Sequence, residues 1–153
     1  MRDVTRKSAL GGLLSTGNAR AASKEKQKIR AVILKAMENW STLNADANAA
    51  YYTSSDRAVF FDFTPMQYIG WETYQNEIKK VQESIKQFKI TLNDDLTVQV
   101  VGQLAWATAT WKMDFLYQDG KTQHLEGRLT EALEKQEGKW KIVHEHASVP
   151  TRE

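Results

Sequence analysis

Hydrophobic residues recur at three- and four-residue steps after residue 23, with Lys, Arg, Glu and Asn between them. This step is the period of an α-helix that buries one face. We predict a long amphipathic helix from Lys24, a short helix over 47–52 that Asp46 caps, and a third helix from Trp71 to Phe88. The apolar positions of the long helix are Ile29, Val32, Ile33, Ala36, Met37, Trp40 and Leu43.

Elsewhere the hydrophobic pattern alternates, as in β-strands. A β-branched and aromatic run over 58–63 predicts a first strand, with a short partner around 67–69. Helices followed by a long antiparallel meander predict an α+β fold with the helices on one face of the sheet. Glycine-containing turns join the four predicted strands of the meander, which cover 90–101, 104–117, 122–135 and 140–149.

The turn Glu137-Gly138 predicts how the last two strands pair. A two-residue turn sets Glu131 opposite His144 and puts both on one face with His146. A register one residue away would set Glu131 opposite Glu145, and facing like charges are unfavourable. We therefore expect Glu131, His144 and His146 on the inward face of the sheet.

The strand over 104–117 has an uninterrupted apolar face that includes Trp111, and this face should point inward. A tight turn at Asp119-Gly120 would instead put Thr108 on the face that carries Glu131. Burial decides between the two, so we predict an extra residue in this connection, as a β-bulge or a longer loop.

Length and charge limit the classes of function. The 153 residues suit one domain, and 21 basic against 19 acidic residues leave a net charge of +2. Such a balance lacks the attraction that drives nucleic-acid binding, and no apolar run reaches the roughly 20 residues that span a bilayer. We expect no nucleic-acid partner and no membrane partner. The absence of cysteine excludes disulfides, thiol nucleophiles and cysteine-ligated zinc.

Residues 1–22 are set apart from the domain predicted over 24–150. Thr5 to Leu10, a mild apolar stretch and Ala19-Arg20-Ala21 resemble a twin-arginine export signal, with Lys7 in place of the second arginine. The alternative is an N-terminal tail outside the core. The first interpretation implies a periplasmic protein and the second a cytoplasmic one.

Three residues are candidates for catalysis. Asp62 follows Phe60-Phe61, an aromatic setting that should raise the pKa of its carboxyl group, as a general base requires. The alternative is a strand-end carboxylate that accepts backbone hydrogen bonds. Glu131 and His144, if paired, form a carboxylate–imidazole couple that could move protons or simply close the core. The two-residue spacing of His144 and His146 could also suit a metal, but nothing places Asp62 near it, so we expect neither metal nor organic cofactor.

Aromatic residues exceed what the core needs, so some of them should line a cavity for a flat or apolar ligand, although they could equally fill the core. The residues predicted to line this pocket are Trp40, Tyr52, Phe61, Tyr68, Trp71, Trp111 and His146.

The order of elements, Val59-Phe60-Phe61-Asp62, Gly70-Trp71 and the run from Gly138 to Ser148 together resemble the SnoaL-like branch of the nuclear transport factor 2 superfamily. The C-terminal run is also similar to the association domain of calcium/calmodulin-dependent kinase. The resemblance implies a cone-shaped α+β fold, in which a strongly curved, mostly antiparallel sheet holds three N-terminal helices on its concave face. It also implies a pocket under the long helix and a homodimer through the outer face of the sheet.

The resemblance extends to ketosteroid isomerase, whose general-base aspartate matches Asp62. That enzyme also uses a tyrosine on its first helix and a protonated aspartate on a late strand. The first helix here has no tyrosine over 24–44, and we identify no matching late-strand carboxylate. In the association domain the position of Glu131 is a pocket arginine, so a ligand preference set by that charge would be reversed here.

Two functions remain open after this comparison, because the fold hosts both. One is binding of a small, mostly apolar organic molecule, with isomerisation, cyclisation or dehydration next to a carbonyl as the reaction class. The other is a non-catalytic homodimeric module. A pocket of several hundred cubic ångströms with Asp62 or His144 at its wall would favour the first, and a filled pocket the second.

Overall fold

The computed structural model describes residues 8–151, with side chains described from Thr16 onward. Its sheet has the strand order β2-β1-β7-β6-β5-β3, with β4 also paired to β5, and the β1–β7 pair is parallel whereas the others are antiparallel. The fold is therefore α+β with a mixed, curved, unclosed sheet. The elements are α1 (Ser8–Ser41), β1 (Val59–Phe61), β2 (Tyr68–Ile69), α2 (Trp71–Gln82), β3 (Ile85–Leu92), β4 (Thr97–Val101), β5 (Leu104–Tyr117), β6 (Thr122–Gln136) and β7 (Lys139–Ser148).

The prediction of three helices is wrong, because the described residues form two α-helices. The short helix expected over 47–52 is a 3-10 turn, Ala45–Asn48. Asn44 caps this turn, because its side chain accepts a hydrogen bond from the backbone N–H of Asp46 at 3.2 Å. Asp46 therefore lies inside the turn that it was expected to cap.

The third predicted helix also ends early. Ile85 and Phe88 keep the helical spacing of α2, but they lie on β3, which pairs with β5. Apolar residues at 88, 90 and 92 also fit the alternation of a strand, and pairing with β5 decides between the two patterns. The predicted strand over 90–101 is consequently two strands. They are separated where Asp95 accepts hydrogen bonds from the backbone and hydroxyl of Thr110.

The β5–β6 connection confirms the inward orientation of Trp111. This side chain is fully buried, and three residues, 118–120, lie between the hydrogen-bonded residues Tyr117 and Lys121, where a tight turn would have two. The backbone N–H of Tyr117 donates to the carbonyl oxygen of Lys121 at 2.9 Å, and Gly120 adopts a φ of 85°. Gly127 lies opposite Trp111, where an added Cβ would come within 2.2 Å of the indole ring. The extra residue thus serves the burial of a large side chain.

The β6–β7 hairpin starts as predicted and then changes register. Glu137 and Gly138 form the two-residue turn, both with positive φ. Farther along, β7 carries one extra residue, Val143, so that Glu131 lies opposite Glu145 and His144 lies opposite Ala132. The predicted Glu131–His144 pair is therefore wrong. A β-bulge moves all following side chains to the other face, and the turn residues carry no sign of it.

The core lies between the inner face of the sheet and the two helices. α1 packs against β3, β4 and β7, and α2 packs against β2 and β3. The part of α1 over 16–24 is exposed. Thr5 to Lys7 of the export-like segment lie outside the described residues, and the segment from Ser8 onward belongs to α1. No helix in the described part of the chain has the length and hydropathy of a transmembrane span.

Candidate functional site

A cavity of about 120 Å³ lies between the helices and the inner face of the sheet. Among the described residues, its lining contains two carboxylate residues, Asp62 and Glu145, and no Lys, Arg or His. Aromatic and aliphatic side chains form most of the remaining wall. They are Met37, Trp40, Phe63, Tyr74, Ile78, Val81, Ile85, Phe88, Ile90, Trp111, Met113, Phe115, Leu129 and Ala147.

The cavity adjoins a larger groove of about 840 Å³ that is open to solvent. Asp62, Phe63 and Phe115 line both spaces. Phe63 is 41% exposed and its ring centroid lies 5.6 Å from that of Trp111. A ligand could therefore reach the inner cavity from the groove, past Asp62 and Phe63.

Asp62 follows β1, and both interpretations of this residue find support in its contacts. Burial raises the pKa of its carboxyl group, as expected from the aromatic setting. One oxygen accepts a hydrogen bond from the backbone N–H of Phe63 at 2.8 Å, and the other lies 3.4 Å from the hydroxyl of Tyr74. The carboxyl group is half-buried and stands at the wall of the cavity, where it can exchange a proton with a ligand.

Glu145 is the centre of a buried hydrogen-bond network. The hydroxyls of Tyr52 and Tyr74 donate to its two oxygens at 2.5 and 3.0 Å, and Trp40 donates in turn to Tyr52 at 3.0 Å. Burial raises the pKa of Glu145, while the tyrosine hydroxyls act against this rise. Because the hydroxyl of Tyr74 also contacts Asp62, one tyrosine links the two carboxyl groups of the cavity wall.

Glu131 lies behind this wall and is fully buried. Within the described part of the chain, neither of its oxygens receives a hydrogen bond from a donor group, and the neighbour opposite it is another carboxyl group, Glu145. Burial, the charge of Glu145 and a hydrogen bond to Glu145 raise the pKa of Glu131 well above its usual range. The consistent arrangement is a protonated Glu131 that donates to an ionised Glu145.

His144 and His146 lie on the other side of the sheet. His144 is half-buried, its Nδ1 lies 2.6 Å from the carbonyl oxygen of Val59, and its ring packs edge-on against Phe61. His146 is exposed and contacts the same ring. The prediction that these imidazoles share the inner face with Glu131 is therefore wrong. His144 has no contact with the cavity, and its ring orientation is set by the backbone of β1.

The predicted pocket residues divide into three groups. Trp40 and Trp111 line the cavity. Phe61 and His146 line the outer groove. The other three are core residues that lie behind the cavity with exposures of 6% or less, and they are Tyr52, Tyr68 and Trp71.

Sequence reasoning missed two polar residues of the site. Tyr74 lies on the predicted apolar face of α2, where a core role was the simpler interpretation. Glu145 was assigned to the outer face, and only knowledge of the bulge would have moved it inward. The structure also corrects the comparison with ketosteroid isomerase. Carboxyl groups do project inward from the late strands, and tyrosines reach them from α2 and from the segment after the 3-10 turn rather than from α1.

A metal role for the imidazoles finds no support in the described part of the chain, which contains no group of three or more His, Asp or Glu side chains placed to hold a metal ion. His144, one of the two expected ligands, contacts the backbone of β1 instead, and His146, the other, packs against the ring of Phe61.

Comparison with known proteins identifies the family. A profile of the SnoaL-like domain matches residues 29–152, which is most of the chain. The chain belongs to the SnoaL-like domain family. No curated protein matches the sequence of this SnoaL-like domain.

Solved structures agree with this assignment. A nuclear transport factor 2-like superfamily protein from Salmonella enterica has a TM-score of 0.79 at 23% identity, over 85% of this chain and 94% of that one. A protein of unknown function from Pseudomonas putida has a TM-score of 0.73 at 25% identity, over 85% and 89%. A protein from Novosphingobium aromaticivorans, provisionally named a scytalone dehydratase, has a TM-score of 0.73 at 11% identity, over 82% and 83%. These similarities establish the fold.

Proposed function

We propose that this SnoaL-like domain binds a small, mostly apolar organic molecule in the inner cavity and that Asp62 is the general base there. The observation that carries the proposal is an apolar cavity of about 120 Å³ whose wall holds Asp62 and Glu145, joined through Tyr74. An apolar cavity of roughly 150 Å³ is enough for a molecule the size of benzene. The space is smaller than several hundred cubic ångströms, but it adjoins the open groove.

The chemistry that suits this arrangement is proton transfer next to a carbonyl group. The carboxylate of Asp62 takes a proton from the carbon beside the carbonyl, and the carboxylic acid so formed returns it at another carbon or to a leaving oxygen. Isomerisation, cyclisation and dehydration all use this step. A raised pKa brings Asp62 closer to the working pH, as proton transfer in both directions requires. The provisional name of one structural neighbour, a dehydratase, is consistent with this class.

Native mass spectrometry of the purified protein tests the binding proposal directly. We expect a co-purifying small molecule, or uptake of a one-ring aromatic fragment that the variant Ile78→Phe abolishes, because the larger side chain fills the cavity from α2. Gln67→Asn, which changes the outer groove and leaves the cavity wall intact, is the control. Equal uptake by wild type and Ile78→Phe would contradict the proposal, as would no uptake by either.

A second function is favoured by the outer face of the sheet. Trp106 and Leu104 on β5 are 47% and 57% exposed, and such side chains are typical of a surface that a second protein copy covers. We propose that the domain is a homodimer through this face. Light scattering should give twice the mass of the 17.5 kDa chain, and Trp106→Ser should shift the protein toward the monomer. A monomeric wild type at micromolar concentration would contradict this.

A further inference from the structure

Three carboxyl groups at one end of the cavity lack a cationic partner among the described residues. Asp62 and Glu145 form part of the wall, and Glu131 lies directly behind Glu145. The groups that face them from the surrounding elements are the hydroxyls of Tyr52 and Tyr74, which are neutral at physiological pH because burial raises the pKa of both. This end of the cavity therefore carries negative charge or holds protons to neutralise it.

The aromatic side chains of the wall are a second observation. Trp111 is fully buried, and its indole N–H has no hydrogen-bond partner among the described residues. Buried polar groups without partners are rare in folded proteins, so this one calls for an explanation. The rings of Trp40, Phe63 and Trp111 also line the space, and aromatic faces attract organic cations.

We propose that the cavity is a binding site for a small organic ammonium ion with an apolar body. The positively charged nitrogen pairs with the carboxylate of Glu145, and the aromatic rings of the wall surround the cation and its apolar part. This inference rests on the proposed ligand-binding function and names the chemical class of the ligand. Asp62, nearer the groove, keeps the proton-transfer role.

The proposal explains why the acids are retained without cations of their own. Without ligand, Glu131 keeps its proton and shares it with Glu145, which limits the cost of burying two like charges. A bound ammonium ion stabilises the ionised carboxylates, so binding should release protons from this network. The affinity for a cation should accordingly increase with pH as Asp62 and Glu131, whose pKa values are raised, become ionised.

Three probes of the same shape and different charge test this. Benzylamine, benzyl alcohol and benzoate are titrated into the full chain at pH 6, 7 and 8 by calorimetry, in buffers of different ionisation enthalpy. We expect benzylamine to bind at least about tenfold more tightly than benzyl alcohol at pH 8, with proton release and with weaker binding at pH 6. Benzyl alcohol or benzoate binding as tightly as benzylamine would overturn the ammonium proposal and leave the cavity-binding function intact. No binding of any probe would overturn both.

Two variants locate the cation. Glu145→Gln should remove most of the preference for benzylamine over benzyl alcohol, whereas Asp94→Asn, an equal charge change at an exposed turn, should preserve it. Circular dichroism and a melting curve establish whether Glu145→Gln is folded. If it is unfolded, Tyr74→Phe, which leaves the carboxylate with one donor fewer, serves instead and should alter the pH dependence of benzylamine binding. An unchanged preference and pH dependence in the folded variant would overturn the proposal.

Discussion

The β6–β7 hairpin contacts Glu25 of α1 near its turn and carries Glu131 and Glu145 farther along its strands. The surroundings of these carboxyl groups shift their pKa values in opposite directions. Glu25, on α1, accepts hydrogen bonds from Lys28, Lys135 and Trp140 at 2.8, 3.0 and 2.7 Å. These donors lower the pKa of Glu25 to about 2. At the cavity end, burial raises the pKa values of Glu131 and Glu145.

The contrast separates a stabilising cluster from a candidate site. Glu25 ties α1 to both strands of the hairpin through the ammonium group of Lys135 and the indole N–H of Trp140, as a purely structural contact requires. Glu131 and Glu145 could each be replaced by an apolar residue at similar volume, and buried charges are often less stable than such replacements. Their presence among buried apolar side chains is what the proposed ligand-binding function would explain.

The largest loss of stability is expected when the hydrogen-bond network around Glu145 loses a buried hydroxyl. Tyr52→Phe leaves Trp40 without its acceptor and Glu145 without one of its donors. Unsatisfied buried groups each cost about 1–3 kcal/mol, so the free energy of unfolding should fall by about 2–4 kcal/mol. Urea denaturation at pH 7 measures this value.

Tyr68→Phe is the matched control for this variant. Its hydroxyl donates to the backbone carbonyl of Thr64 at a partly exposed position, and we expect a loss of about 1 kcal/mol or less. Equal losses for the two variants would show that the network around Glu145 is no more demanding than an ordinary hydrogen bond.

A smaller and pH-dependent effect is expected for Glu131→Gln. The folded-state pKa of Glu131 is raised above 4.5, so the wild type should lose stability as the pH rises above 4.5 and the folded protein resists ionisation. The amide of the variant can donate to Glu145 at every pH. The variant should match the wild type near pH 4.5 and exceed its stability by at least about 1 kcal/mol at pH 8.

Chemical denaturation of both proteins between pH 4.5 and 8 provides the comparison. Glu126→Gln, at an exposed position of the same strand, should give a curve parallel to that of the wild type. A wild-type curve that stays parallel to that of Glu131→Gln would mean that Glu131 ionises freely in the fold.

The sequence was sufficient for most of the fold, for physical reasons that the strands make plain. β5 has the predicted bounds because its alternation runs unbroken from Leu104 to Tyr117. The burial of Trp111 was predictable, and with it the longer connection to β6. The boundary between α2 and β3 was not, because Ile85 and Phe88 continue the helical period of α2, while Phe88 also begins the alternation of β3. Tertiary pairing then decides.

The site was less predictable than the fold, and one residue accounts for most of the difference. Asp62 and the effect of its aromatic surroundings follow from local sequence. The orientation of every side chain after Val143 depends on a bulge. His144 and His146, predicted on the inner face, therefore lie on the outer one, and Glu145 lies on the inner face instead. The rule that like charges do not face each other also failed. A proton shared between Glu131 and Glu145 removes the repulsion on which the rule depends.

The smallest change in the free energy of unfolding is expected for a substitution of Glu25. Glu25→Gln keeps the shape of the side chain and removes its charge, so the bonds to Lys135 and Trp140 weaken, and we expect a loss of about 1 kcal/mol at pH 7. Because the folded pKa of about 2 lies below the unfolded value near 4.5, the contribution is present above pH 4.5 and disappears as the pH falls toward 2. Denaturation at pH 7 and pH 3, with the exposed Glu38→Gln as control, measures it. A difference between Glu25→Gln and wild type that is as large at pH 3 as at pH 7 would assign the effect to packing, and the contrast with Glu131 would then not be electrostatic.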